Sequence, residues 1–407
     1  MANALTFNQL ATVLADITQQ ATGQKVLTPT DATEFVTVAQ KALLTGYDPL
    51  INAISQVLSR TIFSVRPYTR KFQGLEADSL RYGNHVRKIQ VADKGWEEDD
   101  RFKLVDGESI DQQVVDKPNA LQTNFYGAEV YQKHITIFRD QLDNAFSGPE
   151  EFQRFIGMIM QNVSDMIEQA HESTARATIG NLIGGTIQGG TDMQVVYLVD
   201  EYAEQAGFET TDFNPFDPEI FPDFARWTFA RMQTVSKAMT ERTLNYHVAL
   251  DDYDIMRHTP VTMQRCFLYA PLFEHVDAQV VSNTFNAEYL RELPREDVNF
   301  WQSSKTPGSI SIKPVYIDGD AELTEGEAAV YDNVVGVLMD EEAAGYTVVN
   351  TWSAPAPFNA RGGYTNIFWH FTDRYWNDFS ENCVVFMLRR PAESEGGEGG
   401  EGGEVTL

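Results

Sequence analysis

At 407 residues, 43% of them hydrophobic, the chain can bury a real core, and its length suits two or three domains. Its formal net charge of −28 excludes a general basic surface for nucleic acid, because phosphate binding needs clustered lysine and arginine. No run approaches the roughly 20 apolar residues of a membrane span, and residues 1–7 lack the basic start and apolar stretch of a signal peptide, so a chain made and kept in a cytoplasm is expected. Cys266 and Cys383 lie far apart and outside any C-x-x-C pattern, which reads as two buried small hydrophobes rather than a disulfide or a zinc site.

The first elements in chain order are helices. Thr6-x-x-Gln9 is a capping-box pattern followed by Leu10, Leu14 and Ile17 at helical spacing, with Gly23 placed to stop the helix. Asp31-x-x-Glu34 opens a second helix, and Asp48-Pro49 opens a third with Leu50, Ile51, Ile54, Val57 and Leu58 on its apolar stripe. A β-prone run, residues 61–65, follows and stops at Pro67.

Residues 67–137 hold few apolar side chains spaced for a core. Within 66–88 the basic residues are Arg66, Arg70, Lys71, Arg81, Arg87 and Lys88, against Glu76 and Asp78. Residues 93–116 reverse the sign, with Asp93, Glu97, Glu98, Asp99, Asp100, Asp106, Glu108, Asp111 and Asp116 against Lys94, Arg101 and Lys103. So long a polar connection is uncommon inside a compact domain. Val86, Ile89 and Val91 on one side, and Val114, Val115, Phe125 and Tyr126 on the other, predict a long two-stranded arm. A lone hairpin is marginal in water, so the arm is expected to lie on a neighbouring subunit.

The strongest helix signal comes next. Ser147-x-x-Glu150, with Pro149 in the first turn, leads into Phe152, Phe155, Ile156, Ile159, Val163, Met166, Ile167 and Ala170. The spacing predicts a helix over 149–183, closed by Gly184-Gly185 and lying across a sheet as a spine. Beyond it the expected elements are a helix over 222–239, strands at 246–250 and 266–269, a helix over 271–285, and short strands with glycine turns over 310–350. An aromatic block, from Tyr364 to Phe379, precedes a last strand at 383–387. The Gly/Glu-rich residues 391–407 cannot bury enough apolar surface to fold and are read as a disordered tail.

A search for chemistry yields little. Gly184-Gly185 and Gly189-Gly190 lack the Gly-Lys-Ser/Thr of a phosphate loop, there is no G-x-S-x-G elbow, and His171-Glu172 is followed at position 175 by Ala rather than the second His of a zinc helix. Asp251-Asp252-Tyr253-Asp254 lacks the Gly and Glu of a calcium loop and reads as a capping cluster. The aromatic block carries acids beside its few basic residues and reads as core or subunit contact rather than a base-stacking platform. No catalytic, cofactor-binding or metal-binding residue is assigned, and no cofactor is expected.

Four stretches, in this order, carry a family resemblance. They are 49–52 leading through Val57-Leu58 to 63–65, the run 140–146 entering the spine helix, Phe267-Leu268 with its helix ending at 280–286, and 358–364 opening the aromatic segment. Over roughly residues 45–390 the chain resembles tailed-phage major capsid proteins of the Hong Kong 97-like fold, most of all those of small podoviruses with protein-primed DNA replication. The resemblance implies an α+β fold with an N-terminal arm (1–45), a peripheral domain (46–82, 138–214 and 346–390), an extension loop (83–137) and an axial domain (215–345). Some relatives carry an immunoglobulin-like domain near the C-terminus, where this chain has only its Gly/Glu tail. The implied function is a non-enzymatic shell protein of the virion. It would self-assemble into pentamers and hexamers with a scaffolding protein, meet a portal protein at one vertex, and enclose DNA without sequence-specific binding.

Two other functions fit the same residues less well: an encapsulin-like nanocompartment shell, and an acidic cytoplasmic enzyme with an unmarked site. Within the capsid reading, the charge reversal points to contact residues. The acidic arm tip (Glu97, Glu98, Asp99, Asp100) is expected to dock on a neighbour's basic stretch (Arg66, Arg70, Lys71, Arg81).

Overall fold

The computed structural model describes residues 6–58, 70–77, 86–91, 99–110, 113, 115, 120–209, 213–250, 255–275 and 295–391. The β-prone run at 61–65, the Asp251–Asp254 cluster, most of the helix expected over 271–285 and the tail beyond 391 lie outside them.

Three helices open the chain: α1 (Phe7–Thr22), α2 (Ala32–Leu43) and α3 (Tyr47–Leu58). The first two starts follow the capping chemistry. The Thr6 N–H donates to Gln9 Oε1 (2.9 Å), and the Glu34 N–H donates to Asp31 Oδ1 (2.8 Å). Gly23 ends α1 in the left-handed conformation, φ +67°. Helix α3 begins at Tyr47, before the expected Asp48 cap, and the Asp48 carboxylate instead accepts the Phe358 N–H (3.1 Å).

A two-stranded ribbon follows, β1 (Val86–Val91) antiparallel to β2 (Ala120–Phe125). Val115, expected in the returning strand, lies outside it. The chain continues through β3 (Ala128–Phe138) and α4 (Arg139–Ala145) into α5 (Pro149–Gly189), a helix of 41 residues and about 60 Å.

Helix α5 runs past Gly184-Gly185, where it was expected to stop. These glycines are contact points rather than terminators. A Cβ on Gly185 would lie 2.5 Å from the Phe379 ring, and one on Gly189 would lie 2.2 Å from the Tyr316 ring. The missing side chains let the helix press against those rings, and it ends only at Gly190.

The rest of the chain gives β4 (Val195–Tyr197), α6 (Leu198–Ala206), α7 (Phe221–Ala238), β5 (Gln264–Tyr269), β6 (Arg295–Val298), β7 (Ile310–Ile312), β8 (Val315–Ile317), β9 (Leu323–Glu325), β10 (Ala329–Tyr331), β11 (Val334–Asp340), β12 (Ala344–Pro355), β13 (Tyr364–Asn377) and β14 (Cys383–Met387). The strand expected at 246–250 is instead a buried irregular segment. Its Tyr246 carbonyl accepts the Cys383 N–H and its Val248 N–H donates to the Phe379 carbonyl, so it is tied to the chain before β14 without forming a ladder.

Two sheets carry the fold. One is mixed and five-stranded, in the order β4-β14-β11-β5-β6. Its β11 and β14 are buried along their whole length. The other is antiparallel, β12-β13-β3, and in β13 Thr365, Ile367, Trp369, Phe371 and Asp373 turn inward. Helix α5 belongs to both. Phe152, Phe155, Ile156, Ile159 and Val163 join α1–α3 and the three-stranded sheet in one core, while Ala175, Ile179, Leu182 and Ile183 join the five-stranded sheet, α6 and α7 in another.

The two cores meet at a polar belt on α5. Arg70 Nη1 donates to both Glu168 oxygens (2.8 Å), Thr174 Oγ1 donates to Glu129 Oε2 (3.0 Å), and Arg176 Nε donates to Glu172 Oε1 (2.9 Å). His171 is buried with Nε2 3.5 Å from Asp373 Oδ1, and Tyr131 Oη donates to Asp373 Oδ2 (2.7 Å).

Glycines within this one helix should respond in opposite directions. Gly157 has nothing within 4 Å of a new Cβ, so Gly157→Ala should stabilise by about 0.5–1 kcal/mol through helix propensity. Gly185→Ala should destabilise by about 1–3 kcal/mol through overpacking against Phe379. Urea denaturation of the two variants checks this, and shifts of the same sign would contradict the packing described.

Candidate functional site

The β1–β2 arm is the part of the chain least explained by its own core. Its tip and flanks expose large apolar side chains: Phe102 is 88% exposed and Val115 78%, with Ile89, Val91, Leu104, Val105 and Ile110 also exposed. Exposed apolar surface on this scale is the kind that marks interaction sites.

Its root, by contrast, is anchored. Lys88 on β1 reaches three carboxylates, Asp378 (2.9 Å), Glu381 (2.5 Å) and Glu342 (3.1 Å). Burial alone would lower the Lys88 ammonium, but Asp378 and Glu381 outweigh it and hold the group above the ordinary lysine value. Burial raises the Glu381 carboxyl above its usual range, against the pull of Lys88 and Arg257. Next to Lys88, the Gln90 side chain on β1 accepts from Arg257 Nη2, and Arg257 Nε donates to the Ser380 carbonyl (3.0 Å). Burial, with Arg257 close by, holds His247 below the ordinary histidine value, and its Nε2 lies 2.9 Å from the Ile255 carbonyl. The arm is thus pinned to the loop between β13 and β14 by a cluster of opposite charges.

The residues singled out by charge reversal are partly described. Glu97, Glu98, Arg66 and Arg81 lie outside the described residues. Asp99 is exposed and accepts from Arg101 Nε (2.7 Å) and the Arg101 N–H (3.0 Å). Asp100 begins a single 3₁₀ turn, Asp100–Phe102. Arg70 is paired within its own chain, with Glu168 and Glu76, and Lys71 beside it is half-buried. Of the described members, Asp99 and Arg70 therefore form separate pairs: Asp99 with Arg101, and Arg70 with Glu168 of α5 and Glu76.

Sequence reasoning missed the anchor. Asp378 and Glu381 flank a buried stretch, and buried carboxylates need a cation or donors. That signal could have shown that a partner exists. It could not have shown that the partner is Lys88, some 290 residues earlier. Among the described residues, no group of His, Cys, Asp or Glu is arranged to hold a metal ion, and no helix is long and apolar enough to cross a membrane.

Lys88→Met should lower stability by about 3 kcal/mol at neutral pH, because it leaves buried carboxylates short of a cation. A lysine held above its ordinary value contributes fully below that ordinary value and loses its contribution only as pH rises through the raised one. Denaturation of both proteins from pH 7 to about pH 10 should therefore show a constant difference. A difference that shrinks within this window would contradict the pin.

Comparison with known proteins places these features in a family. The profile described as Phi29-like phage major capsid protein matches residues 11–387. No curated protein matches the chain. Among solved structures, a chain from the capsid structure of Staphylococcus phage Andhra aligns with a TM-score of 0.51 at 10% identity, covering 81% of this chain and 87% of that one. A chain from the structure of the head fiber and inner core protein gp22 of native bacteriophage P68 aligns with the same TM-score at 11% identity, with the same coverage of both chains. These likenesses show the α+β fold of phage capsid proteins, the Hong Kong 97-like fold. With the match spanning nearly the whole described chain, the protein belongs to the Phi29-like phage major capsid protein family.

Proposed function

We propose that many copies of this chain close into the icosahedral or elongated head shell around a phage genome, tied together by the β1–β2 arm. The shell-forming role follows from the family. The observation that supports the tie is the contrast within the arm, where a charge-pinned root carries an exposed apolar tip. Rings of identical subunits use heterologous contacts, in which one surface meets a different one on the next copy. Each contact can be modest because it repeats in a closed shell.

In this reading residues 46–82, 138–214 and 346–390 form the peripheral domain with α5 as its spine. Residues 83–137 form the extension loop, 215–345 the axial domain, 1–45 the N-terminal arm, and 391–407 a Gly/Glu tail. Assembly takes place in the host cytoplasm on a scaffolding protein, with a portal protein at one vertex, in a small podovirus with protein-primed replication. The net charge of −28 suits a wall that encloses DNA without gripping it. The chain's role is structural, and no catalytic step is assigned to it.

The tip docks through its acids on a basic stretch of the neighbour. Glu97, Glu98, Asp99 and Asp100 are the acidic partners, and Arg66, Lys71 and Arg81 are the principal basic ones. Arg70 is the weakest member, because Glu168 already engages it. Exposed ion pairs are worth about 0–1 kcal/mol each, so the docking is salt-sensitive.

Electron microscopy of the purified protein, expressed with and without a scaffolding partner, should show closed shells or hexameric and pentameric capsomers. Dispersed monomers under every condition would overturn the reading. Changing Glu97, Glu98, Asp99 and Asp100 to Lys should impair assembly at low salt, and normal assembly of that variant would exclude the charge docking. Phe102→Asp with Val105→Asp should leave monomer stability within about 0.5 kcal/mol, because both residues are exposed, while abolishing shells. Normal shells from that variant would remove the arm tip from the interface.

A further inference from the structure

The three-stranded sheet, in the order β12-β13-β3, leaves β12 and β3 as its edges. The two edges are treated differently. The β12 edge is partly covered, since the Ala77 N–H donates to the Tyr346 carbonyl (2.9 Å), Glu76 bridges Tyr346 in parallel, and the strand ends at Pro355. Among the described residues the β3 edge has no such cover. Its register with β13 runs without a break from Ala128↔Arg374 to Phe138↔Tyr364, so it carries no bulge, and it contains no proline. Natural edge strands are usually short, bulged or proline-bearing, because a long regular edge is a template for another strand.

The ladder also tells which backbone groups are offered. The Tyr375 N–H donates to the Gly127 carbonyl (3.4 Å), and the Arg139 N–H donates to the Gly363 carbonyl (2.9 Å), in the same register. Odd-numbered residues of β3 therefore bond to β13, and Ala128, Val130, Gln132, His134, Thr136 and Phe138 turn N–H and C=O away from the sheet. Phe138 is already satisfied, because its N–H donates to Gln141 Oε1 (3.4 Å). Val130, Gln132 and His134 are exposed, and among the described residues their outward backbone groups have no partner.

We propose that β3 is a self-pairing edge, through which two copies of this chain join antiparallel about a two-fold axis centred on Tyr131. The inference rests on the shell reading for the identity of its partner. The register follows from charge. Centring on Tyr131 sets Glu129 opposite Lys133 of the second copy and Lys133 opposite its Glu129, two opposite-charge pairs directly across the ladder. Centring on Gln132 would put Glu129 against Ile135, and centring on Lys133 would put the two lysines face to face. In the chosen register Val130 pairs with Gln132 and Ala128 with His134 of the second copy, each exchanging two hydrogen bonds, for about eight in all. The contact is isologous, as a two-fold requires, and it fuses two three-stranded sheets into one of six strands.

The test is a disulfide across the ladder. Val130→Cys combined with Gln132→Cys places thiols on facing residues, while Cys266 and Cys383 are buried and give no background. Under mild oxidation, in shells and in soluble protein alike, this variant should form covalent dimers on a non-reducing gel. It should do so about tenfold faster than the slipped-register control Val130→Cys with His134→Cys, because disulfides demand Cα separations near 5.5 Å. Gln132→Pro removes an outward N–H without touching the β13 ladder, so it should keep the thermal melt of the wild type and lose the dimer contact. Shells that assemble without the cross-link, or equal cross-linking in both cysteine variants, would overturn the pairing and leave the shell reading standing. Wild-type protein that never forms shells would overturn the shell reading, and cross-linking of the soluble chains would still decide the pairing.

Discussion

Helix α5 has to satisfy two cores at once, and the arrangement of the molecule follows from how it does so. Its first half presents Phe152, Ile156, Ile159 and Val163 to one set of helices and one sheet, and its last turns present Ile179, Leu182 and Ile183 to another. A straight helix cannot change its apolar face without a break in the stripe, and here the break is polar. Glu168, His171 and Thr174 each meet a charged group from elsewhere in the chain, and Glu172 meets Arg176 one turn further along the same helix. The belt lets one rigid rod run through both cores with most of its buried polar groups answered, although neither ring nitrogen of His171 has a hydrogen-bond partner among the described residues. Rigidity is what a shell subunit needs, since errors of orientation within one copy are multiplied around a ring.

The arm uses the opposite strategy. Its root is fixed by Lys88 and Arg257 against Asp378 and Glu381, while its tip leaves its apolar side chains uncovered. Buried charge sets direction, because a cluster of opposite charges tolerates little displacement. Exposed apolar surface supplies the affinity for whatever comes to cover it. In the proposed shell, direction from one part and adhesion from another would make the arm a positioned connector rather than a loose strap.

What was legible in the sequence divides along the range of the interactions. The starts of α1 and α2 were readable because a cap and its partner lie within three residues, as in Asp31 with Glu34, whereas α5 starts after Gly148, one residue past the expected Ser147 cap, whose hydroxyl donates to the Asn144 carbonyl instead. The end of α5 was not, because Gly184 and Gly185 look like terminators until Ile312 and Phe379 arrive from far along the chain. Tyr246–Leu250 has strand composition, yet its backbone bonds with Phe379 and with Cys383, at the start of β14, are single contacts that make no ladder. The charge asymmetry of the arm was visible, but sequence alone could not show that Arg70 is spent on Glu168 inside its own chain. The Lys88 anchor was invisible for the same reason, as its partners lie about 290 residues away. The family resemblance was carried by the order of many weak signals, each local, over a chain whose decisive contacts are not.

The position of β14 has a consequence for how the protein is made. It is the last of the described strands, yet it lies inside the five-stranded sheet, between β4 and β11, with every residue buried. Until residues 383–387 have been synthesised, β4 has no neighbour and β11 has a bare edge, so the larger core cannot close. Closure of that core therefore waits on residues 383–387, a high-contact-order step. A fragment from interrupted translation lacks this strand and cannot present finished contact surfaces. The topology thus ties a closed larger core to copies whose synthesis has passed β14.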